Sequence, residues 1–390
     1  MKVMMTGGGT AGHVTPLLAV ASELKKEQPS ASIRYIGNYG DSFGNLVKNS
    51  KDFEKSYLIL AGKFRRYHKI SKMVYVKDPR ITLKNIRDLF LFLFGFIQSI
   101  GHLVFWRPDV IFVKGGFVGL PVGLAGALLR IPVVTHDSDA VPGLTNRILS
   151  RYSKLQAVAM PIESYKYDRK TIRRTGLPIN EDIVTVTPEI ETNAKKHLGL
   201  KDTNFVVSFI GGSLGALRLN NAVQQIAKDY LAGSNERIII HVTGKAHFKD
   251  IQDEYNKYEE AIRKKILVLS YTNDLKTITA ASDIVVSRAG SSIHELSAQQ
   301  KCVILVPNPI LTGGHQTKNA EMIKANDAGI LVDEKELELS EGKVLLNEIL
   351  MLENDKNLRI KMAHNLSKLA VPHAAKNIVG VLMEAINKNV

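Results

Sequence analysis

Met1-Lys2-Val3-Met4-Met5-Thr6-Gly7-Gly8-Gly9-Thr10-Ala11-Gly12-His13 is the stretch that decides the fold. Val3 to Met5 is a short apolar run, a glycine-rich turn follows at once, and Pro16 to Glu27 reads as a helix. A strand that empties directly into a loop and a helix N-terminus opens a parallel α/β sheet. Glycine carries no Cβ and the first N–H groups of a helix have no partner, so such a loop can bring its backbone close to an anionic or polar ligand. Gly7, Gly9 and Gly12 satisfy G-x-G-x-x-G, which by itself points to a dinucleotide. The acidic residue that a dinucleotide site wants at the end of its second strand is missing, because Ser32 to Ile36 ends in Gly37-Asn38 and Asp41 lies beyond. His13 adds a group that exchanges protons near neutral pH, although capping the helix suits it equally well.

The chain of 390 residues exceeds one usual core, so two domains of about 150–200 residues each are expected. Hydrophobic residues make up 45% and charged residues 23%, an ordinary globular balance. Cys302 is the single cysteine, which excludes an internal disulfide or a cysteine-based metal site and suits a reducing compartment. No basic-then-apolar leader opens the sequence, so a cytoplasmic location is expected.

Charge is distributed unevenly. Residues 1–190 hold 27 Lys and Arg against 15 Asp and Glu, a net +12, whereas residues 191–390 hold 25 against 23, a net +2. Ten basic residues fall between Gly62 and Arg107 with only Asp78 and Asp88 opposing them. The same segment contains Leu89-Phe90-Leu91-Phe92-Leu93-Phe94-Gly95-Phe96-Ile97 and Leu103-Val104-Phe105-Trp106. Lys63, Arg65, Arg66, Lys69, Lys72, Lys84 and Arg87 beside these apolar residues describe segment 63–107 as a surface for anionic lipid. A core helix and a membrane span are the competing readings. Only eighteen uncharged residues separate Asp88 from Arg107, and Gln98, Ser99, Gly101 and His102 are among them, against about 20 apolar residues for a span. Nucleic acid fits poorly, because long aliphatic side chains rather than bare aromatics separate the cations.

Outward from the opening, the first half alternates strand and helix. Strands are expected at 2–5, 32–36, 57–60, 109–114, 132–136 and 155–160, with helices at 16–27, 82–106, 119–129 and 143–150. This order implies a doubly wound parallel sheet with ligands at the C-terminal strand ends. Gly7–His13, Gly115–Gly119 and His136-Asp137-Ser138-Asp139 are the turns at those ends. Residues 161–188 have little periodicity and read as the passage between domains. The pattern then restarts. Phe205 to Ile210 is a strand, Gly211-Gly212-Ser213-Leu214-Gly215-Ala216 a glycine loop suited to a diphosphate, and Leu217 to Tyr230 a helix. Further strands are expected at 237–242, 266–270, 283–286, 303–306 and 330–332. Two such halves suggest two domains with a cleft between them. In the second half, Ser291 and Ser292 are candidate N-caps, and Glu295 is either a first-turn carboxylate or a ligand group. Gln316 and Asn319 are three apart and share a helical face. Amides and a carboxylate facing a cleft suit the hydroxyls of a sugar.

The motifs GGGTAGHVTP, KGGFVGLPVG, VPGLTNR, GGSLGA, SRAGSSIHE and GGHQTKNA, in this order over nearly the whole chain, closely resemble the MurG family. The resemblance implies a peripheral membrane glycosyltransferase that moves N-acetylglucosamine from UDP-GlcNAc to an undecaprenyl-pyrophosphoryl muramyl-pentapeptide. It implies a GT-B fold of two Rossmann-like, doubly wound domains with an inter-domain cleft. The domains expected are 1–162 for the acceptor and membrane, a linker at 163–188, 189–371 for the UDP-sugar, and a helix at 372–390 returning to the first domain. By motif, His13 matches the family's candidate general base, and Thr10, Ala11 and Gly12 match the loop beside the donor sugar. Ser213 matches a phosphate contact, Thr272 a backbone contact to uracil, and Glu295 the ribose carboxylate. Gln316 and Asn319 match the amides that hold N-acetylglucosamine, and Ser291 and Ser292 join the substrate-binding set. Segment 63–107 corresponds to the membrane-facing patch at the cytoplasmic face.

Two positions depart from the family pattern. Asp139 stands where an asparagine is usual, and Asn180 where an arginine is usual, and both changes should weaken UDP-sugar binding. Arg288 is a candidate to compensate. The serine loop is also about one residue shorter than usual before Glu295. Neither an essential metal nor a cofactor is expected. A single inverting displacement is the expected reaction, with His13 taking the proton of the acceptor hydroxyl. The alternatives are another GT-B glycolipid transferase with a diacylglycerol acceptor, and a UDP-N-acetylglucosamine epimerase.

Overall fold

Two parallel sheets organise the chain, one in each of two units, and the computed structural model describes residues 1–9, 11–41, 44–63, 79–212, 215–272, 274–310 and 314–387. The first unit comprises residues 1–179 and 371–390, and the second residues 180–370.

Seven strands build the first sheet: β1 (Lys2–Thr6), β2 (Ser32–Asn38), β3 (Lys55–Ile59), β4 (Val110–Val113), β5 (Val133–Asp137), β6 (Leu155–Val158) and β7 (Ile172–Arg174). Their order is β3-β2-β1-β4-β5-β6-β7 and every pairing is parallel. Val3, Met4 and Met5 are fully buried on both faces, which explains why this strand reads as an unbroken apolar run. The chain leaves β1 toward β2 and β3, then crosses to β4 and continues the other way. The topological switch point is therefore at the C-terminal ends of β1 and β4, where open α/β sheets take their ligands.

The helices of this unit are α1 (Ala11–Glu27), α2 (Gly44–Lys48), α3 (Pro79–Phe105), α4 (Gly119–Leu128) and α5 (Leu144–Leu149). Val14, Leu17, Val20, Ala21 and Leu24 form the buried face of α1. They meet Ile378, Val379, Leu382 and Ala385 of the helix Ala374–Asn387, which completes the same core. Helix α1 starts five residues earlier than the sequence pattern indicates, so Pro16 lies inside it and His13 sits on its first turn. Residues 163–188, expected to be a linker, hold strand β7 at the sheet edge, and the first unit runs on to Ile179. Ile172 is the one apolar residue of β7, and Arg173 reaches Glu384 of the C-terminal helix (Nη2–Oε1 2.7 Å), a pairing that leaves no periodic signature.

Helix α3 lies tightly on the end of β3. A Cβ at Gly95 would stand 1.8 Å from the Leu60 carbonyl oxygen, so only glycine permits this approach. The Leu60 N–H donates to Gln98 Oε1 (2.8 Å), and Leu103 is buried on the same side with Phe92, Phe96 and Ile100 partly so. The opposite side stays open: Leu83, Ile86, Phe90, Phe94, Ile97 and Val104 form an exposed apolar stripe. By length and composition 82–105 would suffice to cross a membrane. Of the seven cations named for the lipid-facing segment, Lys63, Lys84 and Arg87 fall among the described residues, whereas Arg65, Arg66, Lys69 and Lys72 lie outside them.

The second sheet has order β10-β9-β8-β11-β12-β13, all parallel, from β8 (Phe205–Ile210), β9 (Arg237–Val242), β10 (Ile266–Leu269), β11 (Ile284–Ser287), β12 (Val303–Leu305) and β13 (Ile330–Leu331). Its helices are α6 (Pro188–His197), α7 (Leu217–Ala232), α8 (Phe248–Tyr255), α9 (Glu260–Arg263), α10 (Leu275–Ala281), α11 (Ser292–Ala298), α12 (His315–Ala325), α13 (Glu334–Leu339), α14 (Lys343–Asn354) and α15 (Lys356–Ser367). Helix α16 (Ala374–Asn387) is the one that returns to the first unit. The wiring repeats that of the first sheet. Its switch point lies between β8 and β11, at the loops carrying Gly211–Ala216 and Ser287–Glu295.

Candidate functional site

Three loops converge at the first switch point. After β1 the chain runs through Gly7, Gly8 and Gly9, and the Gly9 N–H donates to Asp41 Oδ2 (3.0 Å). Asp41, which lies past the second strand, is thus spent on the glycine loop itself. Tyr35 donates its hydroxyl to the Gly7 carbonyl. After β4, Gly115 and Gly116 both take positive φ, and a Cβ on Gly116 would stand 2.5 Å from the Gly8 carbonyl oxygen. A Cβ on Gly115 would stand 3.6 Å from the His13 ring. The two glycine turns therefore interlock, and the His13 imidazole lies against the second.

Below the imidazole is a cluster that the motif reading did not single out. Lys114, fully withdrawn from solvent at the end of β4, donates to Ser138 Oγ (2.7 Å). Asp137 Oδ1 accepts from Asn146 Nδ2 (2.9 Å) and from the Gly143 N–H (3.3 Å), while Oδ2 accepts from the Tyr167 hydroxyl (2.8 Å). Asn146 also donates to the His136 carbonyl (2.8 Å). Burial lowers the Lys114 ammonium to about 8 against the pull of Asp137 and Asp139. Burial pushes the Asp137 carboxyl up to about 6, opposed by the bonds from Asn146 and Tyr167 and by Lys114. Burial first and Lys114 second push His13 down to about 4, opposed by Asp139, a bond with the Gly8 backbone and Asp41. At neutral pH the imidazole is uncharged and has a lone pair to accept a proton.

In the second unit, the loop before α7 turns through Gly212 and Gly215, whose φ values are positive, and the Gly215 N–H donates to the Gly212 carbonyl (3.0 Å). That N–H is used within the turn, so the first turn of α7 supplies the open donors. Ser291 occupies the N-cap position of α11 but makes no capping bond, because its own backbone is already helical at φ −61° and ψ −23°. Ser292 and Glu295 of α11 line a small recess with Ile183, Ile210, Leu275 and Thr279. Burial raises the Glu295 carboxyl above its ordinary value. Gln316 Oε1 accepts from the Asn308 N–H (2.9 Å) and Asn319 Nδ2 donates to the Ala289 carbonyl (3.0 Å). Both amides thus tie α12 to neighbouring loops, and the Gln316 Nε2 end lies beside Gly290. Thr272 accepts from the Asp274 N–H (2.9 Å), opening the turn into α10.

Arg288 does not serve as a spare cation. Its Nη1 donates to the Val306 carbonyl (2.8 Å) and its Nη2 to Glu334 Oε1 (2.5 Å), while Arg218 takes Glu334 Oε2 (3.0 Å). Thr10 and Ser213 lie outside the described residues. Ala11 and Gly12 fall on the first turn of α1 with His13, and Asn180 opens the second unit on an exposed turn.

Two parallel α/β units with a glycine loop at each switch point are the two-domain architecture of the GT-B class. Residues 3–158 match the glycosyltransferase family 28 N-terminal domain and residues 206–378 its C-terminal domain. The UDP-N-acetylglucosamine--N-acetylmuramyl-(pentapeptide) pyrophosphoryl-undecaprenol N-acetylglucosamine transferase of Acetivibrio thermocellus is 32% identical over 100% of this chain and 99% of its own. The enzyme of that name from Clostridium perfringens (strain SM101 / Type A) is 34% identical over 98% of each chain. A crystal structure of Acinetobacter baumannii MurG shares the fold with TM-score 0.71 at 23% identity, covering 98% of this chain and 99% of its own. A Neisseria meningitidis UDP-GlcNAc 2-epimerase bound to UDP-GlcNAc shares it with TM-score 0.65 at 15% identity, covering 98% of this chain and 100% of its own. The chain belongs to the MurG family of N-acetylglucosamine transferases.

Proposed function

We propose that the protein transfers N-acetylglucosamine from UDP-N-acetylglucosamine to undecaprenyl-pyrophosphoryl N-acetylmuramyl-pentapeptide, the lipid I to lipid II step of peptidoglycan synthesis. The observation that supports the mechanism is the placement of His13 on the first turn of α1, its ring against Gly115 at the switch point of the first sheet, where burial lowers the imidazole to about 4. The acceptor hydroxyl oxygen forms a bond to the anomeric carbon, and the bond from that carbon to the β-phosphate oxygen breaks. The electron pair leaves on UDP, the hydroxyl proton passes to His13, and the single displacement inverts the anomeric centre. Two diphosphates bring negative charge toward the imidazole, which raises its proton affinity above that of the empty site. The first turn of α7 with Ser213 meets the leaving diphosphate.

The first unit takes the acceptor and the second the donor. Thr272 holds uracil through its backbone, Glu295 the ribose, and Gln316 and Asn319 the N-acetylglucosamine. Ser291 and Ser292 complete the donor set, and Thr10, Ala11 and Gly12 are assigned to substrate binding by their motif. The step uses no metal. The exposed stripe of α3, with Lys63, Lys84 and Arg87, seats the enzyme peripherally on anionic lipid at the cytoplasmic face.

The test is UDP release from UDP-N-acetylglucosamine with and without a short-chain lipid-linked muramyl-pentapeptide. Release that requires the acceptor, and falls about 10²–10⁴-fold in His13→Ala, is expected. Release without acceptor would replace this reading by epimerisation or hydrolysis. No release in either condition would direct the search to other UDP-sugars and to diacylglycerol.

A further inference from the structure

Two carboxylates from two loops favour the proton of His13, Asp41 after β2 and Asp139 after β5, and Asp137 ends β5 two residues before Asp139. These carboxylates favour the protonated imidazole and so work against the burial that lowers it most. One cation enters the setting from β4, between these loops. Lys114 points its ammonium at Ser138 Oγ (2.7 Å), which places it at the residue joining the two β5 aspartates. The neighbouring backbone fixes it there. The Lys114 N–H donates to the Thr6 carbonyl (3.0 Å), and a Cβ on Gly7 would stand 3.3 Å from Lys114 Cβ and 2.7 Å from the His13 carbonyl oxygen. The next residue, Gly115, is the one that abuts the His13 ring. Lys114 is thus built into the same interlocked pair of loops as the base.

We propose that Lys114 is a positioning residue whose ammonium, held at Ser138 between Asp137 and Asp139, offsets the Asp139 carboxylate beside His13 and so extends toward acid the range in which His13 can take the acceptor proton. The inference rests on the reading of His13 as the base. It also gives Asp139 a place in this chain. The extra anion there is matched by a buried cation within the same unit, whereas Arg288 is committed to Glu334 and Val306. Lys114 and Asp139 act as a charge couple, and removing one should be relieved by removing the other.

The test uses Lys114→Met, Asp139→Asn and the double variant in the full-length enzyme. The His13 midpoint is read by NMR of histidine-labelled protein, assigned against His13→Gln. The acid limb of kcat/KM is read with the short-chain acceptor. Lys114→Met should raise the His13 midpoint and move the acid limb upward together by about one pH unit, the size of effect that one neighbouring charge produces. Asp139→Asn should lower the midpoint, and the double variant should return close to wild type. Should Lys114→Met fail to fold, the downward shift in Asp139→Asn carries the test. An unmoved midpoint in the folded single variants, or a double variant displaced as far as Lys114→Met alone, overturns the proposal. A midpoint that moves while the acid limb stays upholds the Lys114 couple and refutes His13 as the base.

Discussion

Removing the open apolar stripe of α3 should detach the protein from membranes without touching its chemistry. Phe90, Phe94 and Ile97 are 56%, 56% and 64% exposed, so more than half of each side chain is available to lipid. Complete burial of a Phe or Ile contributes about 1.5–3 kcal/mol, so each of the three offers about 1–1.5 kcal/mol to docking. The combined variant Phe90→Ala, Phe94→Ala, Ile97→Ala should lose about 3–4 kcal/mol, more than two orders of magnitude in vesicle partition. Stability should change little, because the packed side of α3, with Leu103 buried and Phe92, Phe96 and Ile100 partly buried, is left intact. The assay is co-sedimentation with phosphatidylglycerol-containing vesicles, with turnover on a water-soluble acceptor as the control. Added salt should weaken the share that comes from Lys63, Lys84 and Arg87 and leave the apolar share in place. If the triple variant partitions within threefold of wild type, the stripe is not the docking surface.

Two further expectations concern rigidity and acid. Gly116→Ala forces a side chain into a left-handed backbone (φ 79°) with its Cβ 2.5 Å from the Gly8 carbonyl, at about 1–2 kcal/mol for the conformation alone. The loop that holds His13 must then shift, so kcat should fall at least about tenfold; a variant with wild-type kcat would show that the interlock does not matter. His241 is buried between the Asn220 amide oxygen (3.0 Å) and the Tyr255 hydroxyl (3.0 Å), and burial pushes its imidazole down to about 3. A folded value below the unfolded one means that stability is full above about pH 6.5 and is lost as pH falls toward 3, on the order of 4 kcal/mol across the window. Melting curves at pH 7 and pH 5 should therefore differ more for wild type than for His241→Gln, and equal differences would sink the argument.

The sequence is legible where burial makes a pattern of its own. Strands β8 and β9 read to the residue, because a parallel strand covered on both faces is a continuous apolar run. The return of strand, glycine loop and helix at Phe205 showed two units for the same reason. The start of α1 was hidden because Thr10-Ala11-Gly12 looks like loop and Pro16 like a first helical residue. Strand β7 was hidden because Ile172-Arg173-Arg174 pairs on one side only and offers no alternation. At the site, His13 and Glu295 stood out as reactive types in glycine- or serine-rich turns. Lys114 and Asp137 did not, since a single charge at the end of an apolar run resembles any strand terminus. Only the crossing from β3 to β4, which sets β4 beside β1, brings Lys114 under the first glycine loop.

The return of α16 to the first unit has a consequence for how the protein is made. Ile378, Val379 and Leu382 fill a core whose other members include Val3, Val14 and Leu24, nearly the whole length of the chain away. On the ribosome, residues 180–370 emerge as one uninterrupted block before that core can close. The unit translated first is therefore completed last, and until α16 arrives the apolar face of α1 stands open to chaperones and proteases. A stop codon near residue 370 would leave the second unit's sequence entire and strike the first unit, at the opposite end of the message from the lesion.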